Sequence, residues 1–171
     1  MKQKALFLDR DGIINVDHGY IYKIEDFEFV DGIFDLVKLF ADAGYLIFVV
    51  TNQSGIGRGY YNEEDFTTLS NWMVEEFKKK NITIEKVYYC PHSPEDKCLC
   101  RKPQTGMIEQ ALKDYPIDLP NSWLIGDKQS DIDLAKNANI QNSIYIGNKN
   151  ITNATYYFNS ILECRVGLPT I

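Results

Sequence analysis

The sequence predicts an α/β fold, a Rossmann-like, doubly wound parallel sheet with helices on both faces. Short apolar runs alternate with amphipathic stretches from one end of the chain to the other, the pattern of strands joined by right-handed crossovers. Four polar clusters stand directly after apolar runs, where such sheets place their ligands. A length of 171 residues fits one domain of ordinary size, and no linker, repeat or low-complexity stretch divides it.

Each element follows in turn. Ala5–Leu8 is a buried strand, broken by Asp9-Arg10-Asp11-Gly12. Phe34–Phe40 has helical periodicity and ends at Ala43-Gly44, after which Leu46–Val50 is apolar and rich in β-branched residues. A polar, glycine-rich turn spans Thr51–Gly59. Asn62 caps a helix to Lys80, with Phe66, Leu69, Met73 and Phe77 on one face. Lys86–Tyr89 is the third strand, followed by a Cys/His segment and a helix over Thr105–Asp114. Trp123–Ile125 is the fourth strand and ends in Gly126-Asp127. A helix over Asp131–Asn137 and a strand over Ser143–Ile146 complete the alternation, and Tyr156–Phe158 is an edge strand in a less patterned tail. Phe27, Phe29, Phe34, Phe40 and Tyr45 have core-like spacings.

Composition narrows the function. Apolar residues are 44% and charged residues 25%, the balance of a soluble domain with a full core. Eighteen Lys and Arg against 24 Asp and Glu give a net charge of −6, which argues against a nucleic-acid or anionic-membrane binder. No apolar run approaches the roughly 18 residues of a membrane span. Lys4–Asp9 is too short and ends too soon in charge to be a signal peptide, so a cytoplasmic protein is expected and the Asn-x-Thr triplets at Asn81, Asn150 and Asn153 are not glycan sites. Three of the four cysteines fall within eleven residues, which in a reducing compartment reads as metal ligation.

The polar clusters carry the chemistry. Asp9 ends the first strand and Asp11 lies in the turn after it, and Asp127 ends another central strand. Alone, the first pair is compatible with a solvated turn. Carboxylates that converge from two strands need a cation, and hard oxygen ligands suit Mg²⁺. An aspartate in such a site can attack phosphorus, and a second can exchange protons with the leaving oxygen and with water. Thr51, the Gly55/Gly57/Gly59 loop, Lys102, Arg101 and Arg58 offer donors for phosphoryl oxygens.

Asp9-Arg10-Asp11-Gly12, Thr51-Asn52-Gln53-Ser54-Gly55, Lys102-Pro103 and Gly126-Asp127-Lys128-Gln129-Ser130-Asp131 resemble the four motifs of the haloacid dehalogenase superfamily of phosphatases. The likeness covers residues 4–147, and within the superfamily it is strongest to the phosphatases of heptose 1,7-bisphosphates. It implies the haloacid dehalogenase fold, an aspartyl-phosphate mechanism and removal of a 7-phosphate, in a pathway of nucleotide-activated heptose for lipopolysaccharide or capsule. By the same resemblance Asp9 is the nucleophile and Asp11 the general acid/base. Thr51 and Lys102 bind the transferring group. Asp9, the Asp11 carbonyl and Asp127 hold Mg²⁺, while Asp131 orients Lys102 or a metal-bound water. Ile13 stands where the family often has Thr.

About 40 residues separate Asp11 from Thr51, too few for the cap domain that many relatives carry, so a capless enzyme is expected. Substrate choice then falls to Asp17, His18, Gly19 and Tyr20, to Asn52, Gln53, Ser54 and Arg58, and to Arg101 and Lys128. His18 alone is also compatible with a loop residue of no role. Cys90, His92, Cys98 and Cys100 form a Cys₃His set suited to structural Zn²⁺ in a loop over 90–100, against the alternative of free surface thiols. Cys164 reads as a buried apolar residue. The expected partner is a small sugar bisphosphate, bound by a monomer. Histidinol-phosphate phosphatase, with the same motifs and a short zinc loop, is the alternative, and a non-catalytic phospho-acceptor module is a third reading.

Overall fold

The computed structural model describes residues 1–171. Six strands form one sheet: β1 (Ala5–Leu8), β2 (Leu46–Asn52), β3 (Ile84–Cys90), β4 (Trp123–Gly126), β5 (Asn142–Ile146) and β6 (Tyr156–Phe158). Every pairing is parallel, in the order β3-β2-β1-β4-β5-β6. Chain connections run one way from β1 and the other way from β4. The crevice outside the carboxyl ends of these two strands is therefore the topological switch point.

Successive side chains of β1 point to opposite faces, and each face has its own apolar core. Leu6 and Leu8 pack with α1 (Ile33–Asp42), α3 (Glu63–Lys78) and α6 (Ile161–Gly167). Ala5 and Phe7 pack with α4 (Gly106–Asp114) and α5 (Gln129–Asn137). Burial on both faces explains why β1 reads as a continuous apolar run and not as an alternation. Asn62 caps α3 as expected, in a reciprocal box with Asp65, worth about 1 kcal/mol. Ile13 is fully buried in the larger core, so the missing hydroxyl at that position is replaced by packing.

Three local expectations change. β2 runs on to Asn52 and pairs there with Cys90, so Thr51 and Asn52 are strand residues and not part of a turn. One helical turn, α2 (Ser54–Gly57), follows. The tail contains α6, capped by the Ser160 side chain, which accepts from the Glu163 amide at 3.1 Å. Seven residues are too few to show a helical period, but Ile161 and Cys164 close the core beside α1. At the carboxyl rim, residues 9–32 hold only isolated bridges and one 3-10 turn, Ile24–Asp26, so no cap stands over the crevice.

Candidate active site

Asp9 leaves β1 and donates its amide to Ile125 of β4 at 3.0 Å, which brings the two central strand ends together. One carboxylate oxygen from each of Asp9, Asp127 and Asp131 lies within 4.8 Å of the other two. Gly12 makes this possible. Its φ is +92°, and a Cβ there would overlap the Asp127 carboxylate.

Lys102 enters the cluster from below and is 5% exposed. Its ammonium donates to Asp9 Oδ1 (2.8 Å), Asp131 Oδ1 (2.7 Å) and the Val50 carbonyl (2.9 Å), which accounts for all three protons. Burial opposes its charge, but Asp131 and Asp9 outweigh that and hold the ammonium above the ordinary lysine range. The second oxygen of Asp131 accepts the amides of Asp127 (3.2 Å) and Lys128 (3.1 Å). Of the two tasks expected of Asp131, the geometry therefore provides the orientation of Lys102.

Burial also opposes ionisation of Asp9, but Lys102 holds its carboxyl below the usual range. Asp127 goes the other way. Burial first, and then the negative charge of Asp9, push it up to about 8. Asp127 Oδ1 is buried without a hydrogen-bond partner, and its nearest cation is Lys128 at 3.8 Å. Two adjacent carboxylates, one of them orphaned and pushed toward its neutral form, fit a divalent cation with hard oxygen ligands. The Asp11 side chain is not part of this group. Its Oδ1 accepts from Arg10 Nη2 (2.8 Å) and Asn15 Nδ2 (3.0 Å), and its Oδ2 from Gln53 Nε2 (3.1 Å).

A cleft of about 370 Å³ opens over these residues. Asp17, Gly19 and Tyr20 form one wall, Asn52, Gln53 and Ser54 a second, and Arg101, Lys102 and Lys128 a third. One guanidinium nitrogen of Arg101, Nη1, is buried without a partner. Asn52 borders the cleft, yet its side-chain oxygen accepts the Lys102 amide at 3.0 Å and so fixes the main chain that delivers the ammonium.

His18 and Arg58 are exposed and are not among the residues lining the cleft. The Gly19 amide donates to Asp17 Oδ1 at 3.0 Å, which closes a tight turn around the exposed His18. The Arg58 guanidinium folds back onto Ser54 Oγ at 3.3 Å, one helical turn earlier. The glycines of this loop also differ in use from the expected row of open amides. A Cβ on Gly57 would meet the Pro91 carbonyl at 2.8 Å, so its part is close packing against the Cys/His loop. Four residues were not foreseen: Arg10, Asn15, Tyr61 and Ser130. Arg10 is 1% exposed, which is unusual for an arginine, but between two aspartates it resembles an ordinary turn residue.

The ligand atoms of Cys90, His92, Cys98 and Cys100 also lie within 4.8 Å of one another. Cys90 Sγ is 3.4 Å from Cys98 Sγ and 2.9 Å from Cys100 Sγ, while His92 Nδ1 is 3.4 Å from Cys90 and 3.2 Å from Cys100. A zinc tetrahedron with arms of about 2.0–2.3 Å has edges of about 3.3–3.8 Å, near three of these distances and longer than the Cys90–Cys100 one, so that pair would open to admit the ion. At Cys98 burial opposes ionisation, but the Arg101 amide and then the Cys90 thiol bring its thiol down to about 6. The four residues fit Zn²⁺, with His92 presenting Nδ1. The cluster joins the end of β3 to the segment that carries Arg101 and Lys102.

The HAD-hydrolase-like family model matches residues 99–150. A D-glycero-alpha-D-manno-heptose-1,7-bisphosphate 7-phosphatase from Campylobacter jejuni is 53% identical over 85% of this chain and 84% of its own. A D-glycero-beta-D-manno-heptose-1,7-bisphosphate 7-phosphatase from Haemophilus ducreyi is 44% identical, with 85% and 84% covered. Among solved structures, a D,D-heptose 1,7-bisphosphate phosphatase from B. bronchiseptica, complexed with magnesium and phosphate, superposes with a TM-score of 0.84 at 25% identity, covering 96% of this chain and 97% of that one.

Proposed function

The chain belongs to the haloacid dehalogenase-like phosphatases, in the family of the heptose-1,7-bisphosphate 7-phosphatases, and from this premise we propose that it removes the 7-phosphate of D-glycero-D-manno-heptose 1,7-bisphosphate. It is a phosphoric monoester hydrolase. The observation that supports the bisphosphate is the cation count at the cleft. Lys102 is fully engaged by Asp9 and Asp131, yet Arg101 presents an unpartnered buried nitrogen and Lys128 a further ammonium. A substrate with a second anionic end would use them.

In this reading residues 1–171 act as one phosphatase domain. Asp9 Oδ1 is held by Lys102 and by the Arg10 amide (2.9 Å), which leaves Oδ2 to attack phosphorus. The bond from phosphorus to the sugar oxygen breaks, Asp11 gives that oxygen its proton, and an aspartyl-phosphate remains on Asp9. Asp11 then takes a proton from water as the water attacks the same phosphorus, which releases phosphate and restores both carboxyl groups. Thr51 and Lys102 hold the phosphoryl oxygens, Lys102 by turning one of its three donations from a resident oxygen to the substrate's. Mg²⁺, held by Asp9, Asp127 and the Asp11 carbonyl, supplies positive charge against the crowded anions. The product feeds nucleotide-activated heptose synthesis in the cytoplasm, for lipopolysaccharide or capsule. No helix is long and apolar enough to cross a membrane.

The test is kcat/KM for the heptose bisphosphate against histidinol phosphate and simple monophosphates. A clear preference for the bisphosphate is expected. Equal or better turnover of histidinol phosphate overturns the assignment. Arg101→Gln should raise KM for the bisphosphate about 10- to 100-fold, the size of a lost charge-assisted contact, with a smaller change in kcat.

Zinc enters this reading as a structural ion held by Cys90, His92, Cys98 and Cys100. Elemental analysis of the purified protein should find about one Zn²⁺ per chain. Cys98→Ser should lose the metal and lower activity through Arg101 and Lys102. Full occupancy in that variant contradicts the ligand set.

A further inference from the structure

The two carboxylate oxygens of Asp11 have unlike surroundings. Oδ1 faces three N–H donors: Arg10 Nη2 at 2.8 Å, Arg10 Nε at 3.3 Å and Asn15 Nδ2 at 3.0 Å. A proton on that oxygen would point at other protons. Oδ2 accepts one bond, from Gln53 Nε2 at 3.1 Å. Gln53 is 3% exposed and its amide is fully used. Nε2 also donates to Thr51 Oγ1 at 2.8 Å, and Oε1 accepts from the Tyr61 hydroxyl. Thr51 is fully buried, and while it accepts from Gln53 its own hydroxyl points to the Asn52 carbonyl at 3.5 Å.

Tyr61 decides which way the Gln53 amide faces. Burial leads the forces that push its phenol up to about 12, so it remains an O–H donor and requires an oxygen opposite. A flipped amide would set Oε1 against the Asp11 carboxylate and lose both donations. Tyr61 is itself fixed. Its ring stacks on Tyr22 (centroids 5.2 Å, planes 9° apart), and a Cβ on Gly55 would strike it.

We propose that Tyr61 and Gln53 form a positioning relay that aims Asp11 Oδ2, the oxygen that passes the proton to the departing alkoxide. Gln53 meets Asp11 Oδ2 only as a hydrogen-bond donor, Tyr61 acts through Gln53, and neither gains or loses a proton. The proton leaves Oδ2 as the phosphorus–oxygen bond breaks and returns to it from water in the second step. The relay rests on the acid/base reading of Asp11 above.

A pair of esters of similar shape tests it, benzyl phosphate and 4-nitrophenyl phosphate. The benzyl alkoxide needs a proton as it leaves, and the nitrophenolate does not. Because kcat/KM covers the steps through departure of the leaving group, the ratio of nitrophenyl to benzyl kcat/KM isolates the acid. Tyr61→Phe should raise that ratio about tenfold, part of the roughly 10²–10⁴-fold that a whole acid supplies. Gln53→Met, which removes the amide at similar volume, should raise it at least as much. Loss of Thr51 alignment would slow both esters alike and leave the ratio where it was. An unchanged ratio in both variants overturns the relay, provided that Asp11→Asn raises it. If Asp11→Asn leaves the ratio unchanged as well, the acid/base reading falls and the relay with it. If the wild type turns over neither ester, the variants are read on the heptose bisphosphate, whose alkoxide also needs a proton: Tyr61→Phe should lower its kcat/KM about tenfold, and an unchanged value overturns the relay.

Discussion

Asp9→Asn is expected to lower turnover by about 10⁴- to 10⁶-fold, the scale of a lost nucleophile. The amide keeps the shape of the side chain but cannot form the acyl phosphate. Lys102 retains Asp131 and the Val50 carbonyl, so its ammonium stays paired. Asp127 meanwhile loses the Asp9 charge that, after burial, raises its carboxyl. The fold therefore persists, with a melting temperature within about 5 °C of wild type. Phosphate release and intact-protein mass together check this. The wild type should carry a transient phosphate adduct and the variant none. Near-normal release in Asp9→Asn sinks the covalent mechanism.

The second large effect is Lys102→Ala, which acts on chemistry and on stability together. The ammonium lies 2.8 Å from Asp9 and 2.7 Å from Asp131, both buried. Its removal leaves two carboxylates without a counter-charge, at a cost of about 3–5 kcal/mol for a broken buried pair. Activity should fall by about 10²–10³-fold, as for a lost donor to a developing charge. The pH dependence has a definite sign. In the wild type Lys102 holds the Asp9 carboxyl low, so this contribution is present above the ordinary carboxylate pKa and is lost as pH falls through the depressed one. In the variant the unpaired carboxylates become easier to protonate, and acid relieves their burial. The stability gap between wild type and Lys102→Ala should thus be widest at neutral pH and narrow at about pH 5. Urea denaturation at the two pH values measures it. A gap that widens in acid contradicts the pairing.

Two of the carboxylates were legible because of where they stand. Asp9 and Asp127 follow apolar runs that can only be central strands, and a parallel sheet brings such ends to one rim whatever lies between. The Cys₃His set was legible because its four residues fall within eleven positions of the chain. Hydrogen bonds between distant side chains leave no such trace. Gln53 reaches Asp11 across 42 positions and Asn52 reaches Lys102 across 50, and in sequence both look like donors for a ligand. Tyr61 looked like one more tyrosine after a glycine-rich turn. Arg10 looked solvated because Asp9 and Asp11 flank it, yet its guanidinium lies under the site and bonds the Ile21 carbonyl at 2.8 Å. His18 and Arg58 stand differently. Their types suit an anionic sugar, but both are exposed outside the cleft lining, and Arg58 bonds Ser54 of the cleft wall at 3.3 Å.

Phosphorus NMR of the bisphosphate during turnover tests the central claim most directly. The two phosphates of D-glycero-D-manno-heptose 1,7-bisphosphate, an anomeric one and one on a primary alcohol, give separate signals. The account predicts that the 7-phosphate signal decays into inorganic phosphate while the 1-phosphate signal persists at full intensity, held by Arg101 and Lys128 away from Asp9. Loss of the 1-phosphate first, or of both at similar rates, would contradict it.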